Sequence, residues 1–345
     1  MSDKPRIICL HGGGANARIF ELQMRRVIIS LQDHFRFVFV EGPWTSELHP
    51  DLKVVYGDFN PGRRWCRWLP QQPHLEDAAA SNEVERVLVD AMDRDEGSGE
   101  WVGILGFSQG ARMAFSILLE NQLRMQNSPP TTGFAGVHWQ FGVIMAGRGA
   151  PFGLSDRSSG NTHYAHFSQL PGVQEEAWYD GCFPDRLRTP TLHVHGLQDP
   201  GLELHRALLT HFASPEHARL IEWNGAHRIP LKTADVKLLV DATLEIAKVS
   251  RTTIIHAQSV ERFADHWLPS QSAKHGRVRE VVVPEERREH IDCDSRDSGV
   301  RIDRRRVGRI EALVSVQRRG SMPISIVPTS KFATKIEGCS RFDAR

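Results

Sequence analysis

No stretch of this 345-residue chain approaches the roughly 20 consecutive apolar residues that a membrane-spanning helix needs. That excludes a helical membrane anchor, and no membrane partner is expected. Cysteine is scarce: Cys9, Cys66, Cys182, Cys293 and Cys339 are an odd set with no C-x-x-C pair. Such usage fits reduced thiols in an intracellular protein better than a disulfide frame. The apolar run that starts at Arg6 follows Met1 too closely for a secretory signal peptide, so a cytoplasmic location is expected. Neither G-x-x-x-x-G-K-[ST] nor G-x-G-x-x-G occurs, which argues against a nucleotide cofactor. Net charge is almost nil, with 43 basic and 42 acidic side chains. From Arg251 onward there are 19 basic and 13 acidic residues, which leaves 24 and 29 in the first 250. A mildly acidic body gives no reason to expect nucleic-acid binding. Apolar content of 40% is modest, and implies that part of the chain stays outside the core.

What the sequence does have is Gly106-Phe107-Ser108-Gln109-Gly110 directly after the apolar run Trp101–Leu105. This reads as a strand, a G-x-S-x-G turn and a helix. A serine on so sharp a turn is held in strained dihedrals, and only small neighbours let the two flanking segments pass closely. The hydroxyl of Ser108 is then pushed out above the sheet, at a helix N-terminus that favours developing negative charge.

A serine needs a base, and the base needs an orienting acid. With this turn the partners follow in the order Ser, acid, His. The run Thr191–His195 is strand-like, and the turn after it carries Asp199. The next strand-like run, Ala218–Trp223, leads to Asn224-Gly225-Ala226-His227. Order, spacing and strand context select Ser108, Asp199 and His227 over Asp180 and Asp185, neither of which follows an apolar strand. Among 17 histidines most have plain readings. His195 is expected to pack or to bond backbone within its strand, and His205, His211 and His217 to lie on a solvated helix face. His193 and His195 share one side of a strand without a third ligand at useful spacing, so no metal is expected. For the oxyanion, the strand Arg6–Leu10 ends in His11-Gly12-Gly13-Gly14, and the expected donors are the backbone N–H groups of Gly13 and Gln109. His11 is expected to brace this loop and take no part in the chemistry.

These motifs, with Asn16 and Phe20, Glu41-Gly42-Pro43, Arg64-Trp65, Asp199-Pro200 and Gly225-Ala226-His227-Arg228-Ile229-Pro230, resemble the fungal serine hydrolase family. The likeness spans about residues 4–248. It implies a small α/β-hydrolase with Ser108, Asp199 and His227 as its triad. Family members include stand-alone thioesterases that free polyketides from a synthase's carrier protein, and carboxylesterases. One departure is Ala226, where the family often has a second glycine; a small residue is kept there.

Strand-like runs at Ile7–Leu10, Phe35–Val40, Val102–Leu105, Phe141–Met145, Thr191–Val194 and Arg219–Trp223 alternate with helical patterns at Phe20–Leu31, Asn82–Met92, Ala111–Gln122, Glu203–His211 and Thr233–Ala247. That rhythm predicts an α/β class fold, a doubly wound and mostly parallel sheet with helices on both faces. Residues 1–249 would form the catalytic domain, and 250–345 a basic, irregular extension without a recognisable motif. Two long segments interrupt the rhythm. Gly42–Gln72 carries Trp44, Trp65 and Trp68 and is expected to wall an acyl pocket over Ser108. Gly147–Asp185 would form the other wall. The expected reaction is acyl transfer to water without a cofactor, from an acyl carrier protein thioester or, alternatively, a small metabolite ester. A non-catalytic binding module is the reading from another class.

Overall fold

The computed structural model describes residues 3–126, 132–155, 163–171, 183 and 185–267, the last stretch from 251 by its backbone alone. All of them belong to the first of two compact units, Met1–Ser272. The second unit, Ala273–Arg345, contains most of the expected basic extension and lies outside the described residues.

The first strand, β1 (Arg6–Leu10), is an apolar run buried on both faces, as a central parallel strand must be. It feeds α1 (Ala17–Leu31), whose first turn is capped by Asn16, with Oδ1 accepting from the Ile19 N–H at 2.9 Å. After β2 (Arg36–Val40) the chain leaves the sheet. It forms β3 (Trp44–Ser46), α2 (Pro50–Tyr56), a 3₁₀ turn at Gly57–Phe59 and β4 (Gly62–Arg64). It returns through α3 (Asp77–Arg94), β5 (Trp101–Phe107), α4 (Gln109–Met125), β6 (Phe141–Met145) and β7 (Thr191–Gly196). Then come α5 (Leu202–Ala207), which widens into a π-helical turn at Leu208–Phe212, β8 (Ala218–Trp223) and α6 (Thr233–Trp267).

Six strands pair in the order β2-β1-β5-β6-β7-β8, every pair parallel. The expected doubly wound sheet is therefore present. The chain runs outward from β1 to β2, then crosses back to β5 and builds the rest in the opposite direction. The reversal falls between β1 and β5, where parallel sheets open a crevice at their carboxyl ends. The glycine run after β1 and Ser108 after β5 both sit at that point.

Alternate strand residues face two different cores. Ile8, Leu10, Ile104 and Ile144 pack with α3 and α4 through Val84, Leu88, Met113 and Leu118. Ile7, Cys9, Leu105, Val143, Leu192 and Val194 pack with α1 and α6 through Phe20, Met24, Val236 and Leu239. Each fully buried aliphatic or aromatic side chain contributes about 1.5–3 kcal/mol, so these two layers fix the sheet on which the site is mounted.

Two expectations of the element reading change. The segment Gly42–Gln72 is not irregular, since β3 and β4 pair antiparallel with Trp44 opposite Arg64. The final helix does not stop at Ala247 but continues to Trp267. No Gly or Pro occurs from Leu231 to Trp267, and Pro269 is the first residue to forbid helix. The extension therefore begins as helix, where an irregular start at residue 250 was expected.

Candidate active site

The site begins with backbone geometry. Ser108 has φ 54° and ψ −116°, a left-handed strained conformation for a non-glycine residue. Its own N–H is held by the Met145 carbonyl at 2.8 Å. The flanking glycines are required by contact. A Cβ on Gly106 would stand 2.2 Å from the Gly110 carbonyl oxygen, and one on Gly110 would stand 2.2 Å from that of Leu10. Strand, turn and helix thus approach more closely than any side chain allows, and Ser108 stands half-buried at the apex.

Asp199 and His227 arrive on the loops after β7 and β8, which are laced to each other. Leu197 N–H donates to the Trp223 carbonyl at 2.9 Å, Gln198 N–H to that of Gly225 at 2.8 Å, and Gln198 Nε2 to Asn224 Oδ1 at 2.7 Å. Gly225 is forced by the Trp223 ring, 2.1 Å from where its Cβ would be. The result brings the three side chains together. His227 Nε2 lies 2.9 Å from Ser108 Oγ, and His227 Nδ1 lies 2.7 Å from Asp199 Oδ2. Asp199 Oδ1 accepts from the Gly201 N–H at 2.9 Å, so both carboxylate oxygens are engaged. Burial pushes the Asp199 carboxyl up, but the His227 and Gly201 hydrogen bonds and the nearby imidazoles outweigh it, and the net shift is downward. An ionised, 6% exposed acid behind a 37% exposed imidazole orients that imidazole toward the hydroxyl.

Next to the hydroxyl, the glycine loop touches the turn. Cβ atoms on Gly12 and Gly13 would lie 3.4 Å from Ser108 Cβ and 3.2 Å from the Gln109 side chain. The Gly13 and Gln109 backbone N–H groups have no hydrogen-bond partner among the described residues. His11 holds the loop in shape, with Nδ1–H donating to its neighbour Gly12 O at 2.8 Å and Nε2 accepting from the Gly42 N–H at 2.9 Å. Burial lowers its pKa to about 4, which keeps it neutral and suits that arrangement.

Sequence reasoning missed how the insert is fastened to this machinery. Trp65 is fully buried. Its indole N–H donates to the His11 carbonyl at 2.9 Å, and its backbone N–H donates to Gln109 Oε1 at 2.6 Å. Trp65 is therefore a brace between the glycine loop and the nucleophile turn, which corrects its expected place in a pocket wall. The signal was present in Gln109 itself, a polar side chain at the first position of a buried helix. Trp44 and Trp68 are half-buried. Trp44 meets Phe167 edge-on at 6.3 Å, and Trp68 stacks on His49 at 5.8 Å. An open cavity of about 610 Å³ lies on the insert, lined by Ser46, Glu47, Asn60, Leu69, Gln72 and neighbours; none of the triad or the three tryptophans lines it. The opposite wall expected from Gly147–Asp185 falls partly on residues 156–162, 172–182 and 184, outside those described.

The histidine expectations also change. His205 is buried rather than solvated, and His193 and His195 are buried beside it; among the described residues none of the six ring nitrogens has a hydrogen-bond partner. Their rings run in series toward His227, at 6.1, 5.5 and 6.0 Å between centroids. Burial pulls their pKa values to about 3, 4 and 3 for His193, His195 and His205. Asp199, His205 and His227 offer ligand atoms within 4.8 Å of one another, but Asp199 and His227 are already bonded to each other.

A hydrogen-bonded Ser-His-Asp set over a parallel sheet is the arrangement of a serine hydrolase of the α/β-hydrolase class. The comparisons carry the assignment further. Residues 1–238 match the family model described as Serine hydrolase (FSH1), and the chain belongs to that family. It is 43% identical over 246 residues to Esterase citA of Monascus ruber, covering 70% of this chain and 92% of that protein. It is 44% identical over 248 residues to Probable esterase tazC of Aspergillus terreus, covering 71% and 92%. The crystal structure of esterase PE8 matches with a TM-score of 0.41 and 16% identity over 71% of this chain and 94% of that one. The chain is an ester-hydrolysing serine hydrolase.

Proposed function

We propose that Ser108 attacks the acyl carbonyl while His227 takes its proton and Asp199 holds the imidazole in the required tautomer. The oxyanion would be received by the Gly13 and Gln109 N–H groups. His227 then protonates the leaving group and activates the water that frees the enzyme. The single observation that carries this reading is the unbroken chain from Asp199 through both His227 nitrogens to Ser108. Each oxyanion donor is worth on the order of 10²–10³ in rate.

The finer reading is a trans-acting thioesterase that releases a polyketide acyl chain from a synthase's carrier protein in fungal secondary metabolism. Relatives named esterases in Monascus and Aspergillus support hydrolysis of an acyl ester. Cys9 and Cys66 are free and buried, which supports a reducing compartment, the cytoplasm. Among the described residues no helix is long and apolar enough to cross a membrane. The test compares one acyl group presented as a carrier-protein thioester and as a free oxygen ester. A preference for the carrier thioester of at least tenfold in kcat/KM is expected. A preference for the free ester would replace this reading with that of a small-ester carboxylesterase.

A further inference from the structure

Arg64 closes β4 and is 2% exposed, and its Nε and Nη1 have no hydrogen-bond partner among the described residues. The guanidinium lies 5.5 Å from the centre of the Trp44 ring. The next residue, Trp65, is pinned by its N–H to Gln109 beside the nucleophile, so the Arg64 backbone is fixed one residue from the nucleophile's neighbour. Behind Trp44 stand Phe167 and Phe152, stacked at 4.9 Å, with the Arg112 guanidinium 4.1 Å over Phe152. Arg112 is one turn from the nucleophile, and its backbone N–H donates to the Ser108 carbonyl at 3.1 Å.

The charge around Arg64 is uncompensated. Burial lowers its proton affinity, and the titratable groups acting on it are the Cys66 thiol and Arg67, with no carboxylate of the described residues among them. The Cys66 thiol is pushed up to about 11 by burial, against the pull of Arg112, Arg64 and Arg148. The guanidinia of Arg64 in β4, Arg112 in α4 and Arg148 in the loop after β6 all act on this one neutral sulfur. A guanidinium stays protonated even when buried, and leaving one dry and unpaired is costly unless something completes it. Its planar fork matches a carboxylate through two parallel hydrogen bonds.

We propose that Arg64 receives an oxyanion, a carboxylate, borne by the acyl group of the substrate. This rests on the acyl-transfer reading above. The acyl side is favoured over the leaving group because His227, which protonates the leaving group, stands on the exposed flank, whereas Arg64 is buried on the Gln109 flank. The substrate class is then an acyl ester or thioester with a carboxylate remote from the scissile carbonyl, its chain lying along Trp44.

The test uses N-acetylcysteamine thioesters matched in length: adipoyl against hexanoyl, and glutaryl against pentanoyl. Wild type should favour the carboxylate member of at least one pair by tenfold or more in kcat/KM, and Arg64→Gln should bring that ratio to about one. Arg64→Lys should keep part of the preference. No preference in wild type overturns the proposal, as does a preference that survives in Arg64→Gln, or an equal loss on both members. Should Arg64→Gln fail to fold, competitive inhibition of wild type decides: the monoamide of adipate is expected to bind tenfold more tightly than hexanamide, which has no carboxylate, and equal inhibition overturns the idea. A discrimination that follows the pantetheine phosphate instead, measured with matched phosphopantetheine thioesters, also overturns it. If no thioester or ester is cleaved by wild type, the hydrolase mechanism has failed, and calorimetric titration with adipate then judges Arg64 separately.

Discussion

The two flanks of Ser108 are built in different ways. On one, the nucleophile turn, the glycine loop and the Asp199 and His227 loops are set by backbone contacts so close that Gly106, Gly110 and Gly196 admit no Cβ. On the other, the insert from β3 to β4 joins the glycine loop through a few backbone bonds, Gly14 N–H to Arg63 O at 2.9 Å, Arg63 N–H to Ala15 O at 2.6 Å and His49 N–H to Gly14 O at 2.9 Å. Side chains complete it: Trp65 to His11 and Gln109, Asn16 Nδ2 to the Phe59 and Pro61 carbonyls at 2.6 and 3.1 Å, and Gln72 to the Trp68 N–H at 2.9 Å. The backbone flank fixes where the chemistry occurs and tolerates no variation. On the other flank the side chains can change without moving its few backbone ties, which suits a surface that selects the acyl group.

The sharpest way to break this comparison is Gly110→Ala. The added methyl meets the Leu10 carbonyl at 2.2 Å, a backbone atom that cannot yield without moving β1. A loss of about 3 kcal/mol is expected in urea unfolding, with activity falling alongside. A Gly110→Ala protein of wild-type stability would show that the close approach is not a constraint.

Acid sensitivity comes next, because the three unpartnered histidines beside Asp199 are buried and neutral. His193, His195 and His205 titrate at about 3–4 in the folded chain against 6.5 for the free side chain. The unfolded chain therefore binds more protons than the folded one between those values. Stability is fully present above about pH 6.5 and is lost as pH falls toward 4, at about 1.4 kcal/mol per pH unit for each histidine. Asp199, with its pKa lowered, adds a loss of the same sign at still lower pH. His193→Leu should flatten the slope of unfolding free energy against pH by about 1.4 kcal/mol per unit in that window; an unchanged slope would mean that His193 is protonated in the fold.

A smaller effect is expected from Trp65→Phe. It keeps most of the buried ring but leaves the His11 carbonyl without its 2.9 Å donor, at a cost of about 1–3 kcal/mol. On the same flank, Trp44→Ala should raise KM severalfold for long acyl substrates and less for acetyl esters. Equal effects on both would remove Trp44 from acyl recognition.

The division also explains what could be read in advance. Backbone rules are written in local patterns: six apolar runs, the glycines around Ser108, and an acid and a histidine each one turn beyond a strand. Those placed the sheet and brought Ser108, Asp199 and His227 to one point. Side-chain assembly is not local. The three-residue strands β3 and β4 are too short to show a period, and nothing near Trp65 in sequence reveals that Gln109, 44 residues away, receives its N–H. His205 sits on a helical pattern that reads as solvated until the chain folds its face beneath Asp199. The length of α6 was legible, in the absence of any breaker before Pro269.

The most direct measurement is labelling by a fluorophosphonate probe followed by peptide mapping, in wild type, Ser108→Ala and His227→Ala. The account predicts modification of Ser108 in wild type, none in Ser108→Ala, and labelling slowed at least a thousandfold in His227→Ala, with all three proteins folded by circular dichroism. A folded wild type that resists the probe, or label retained in Ser108→Ala, would contradict it.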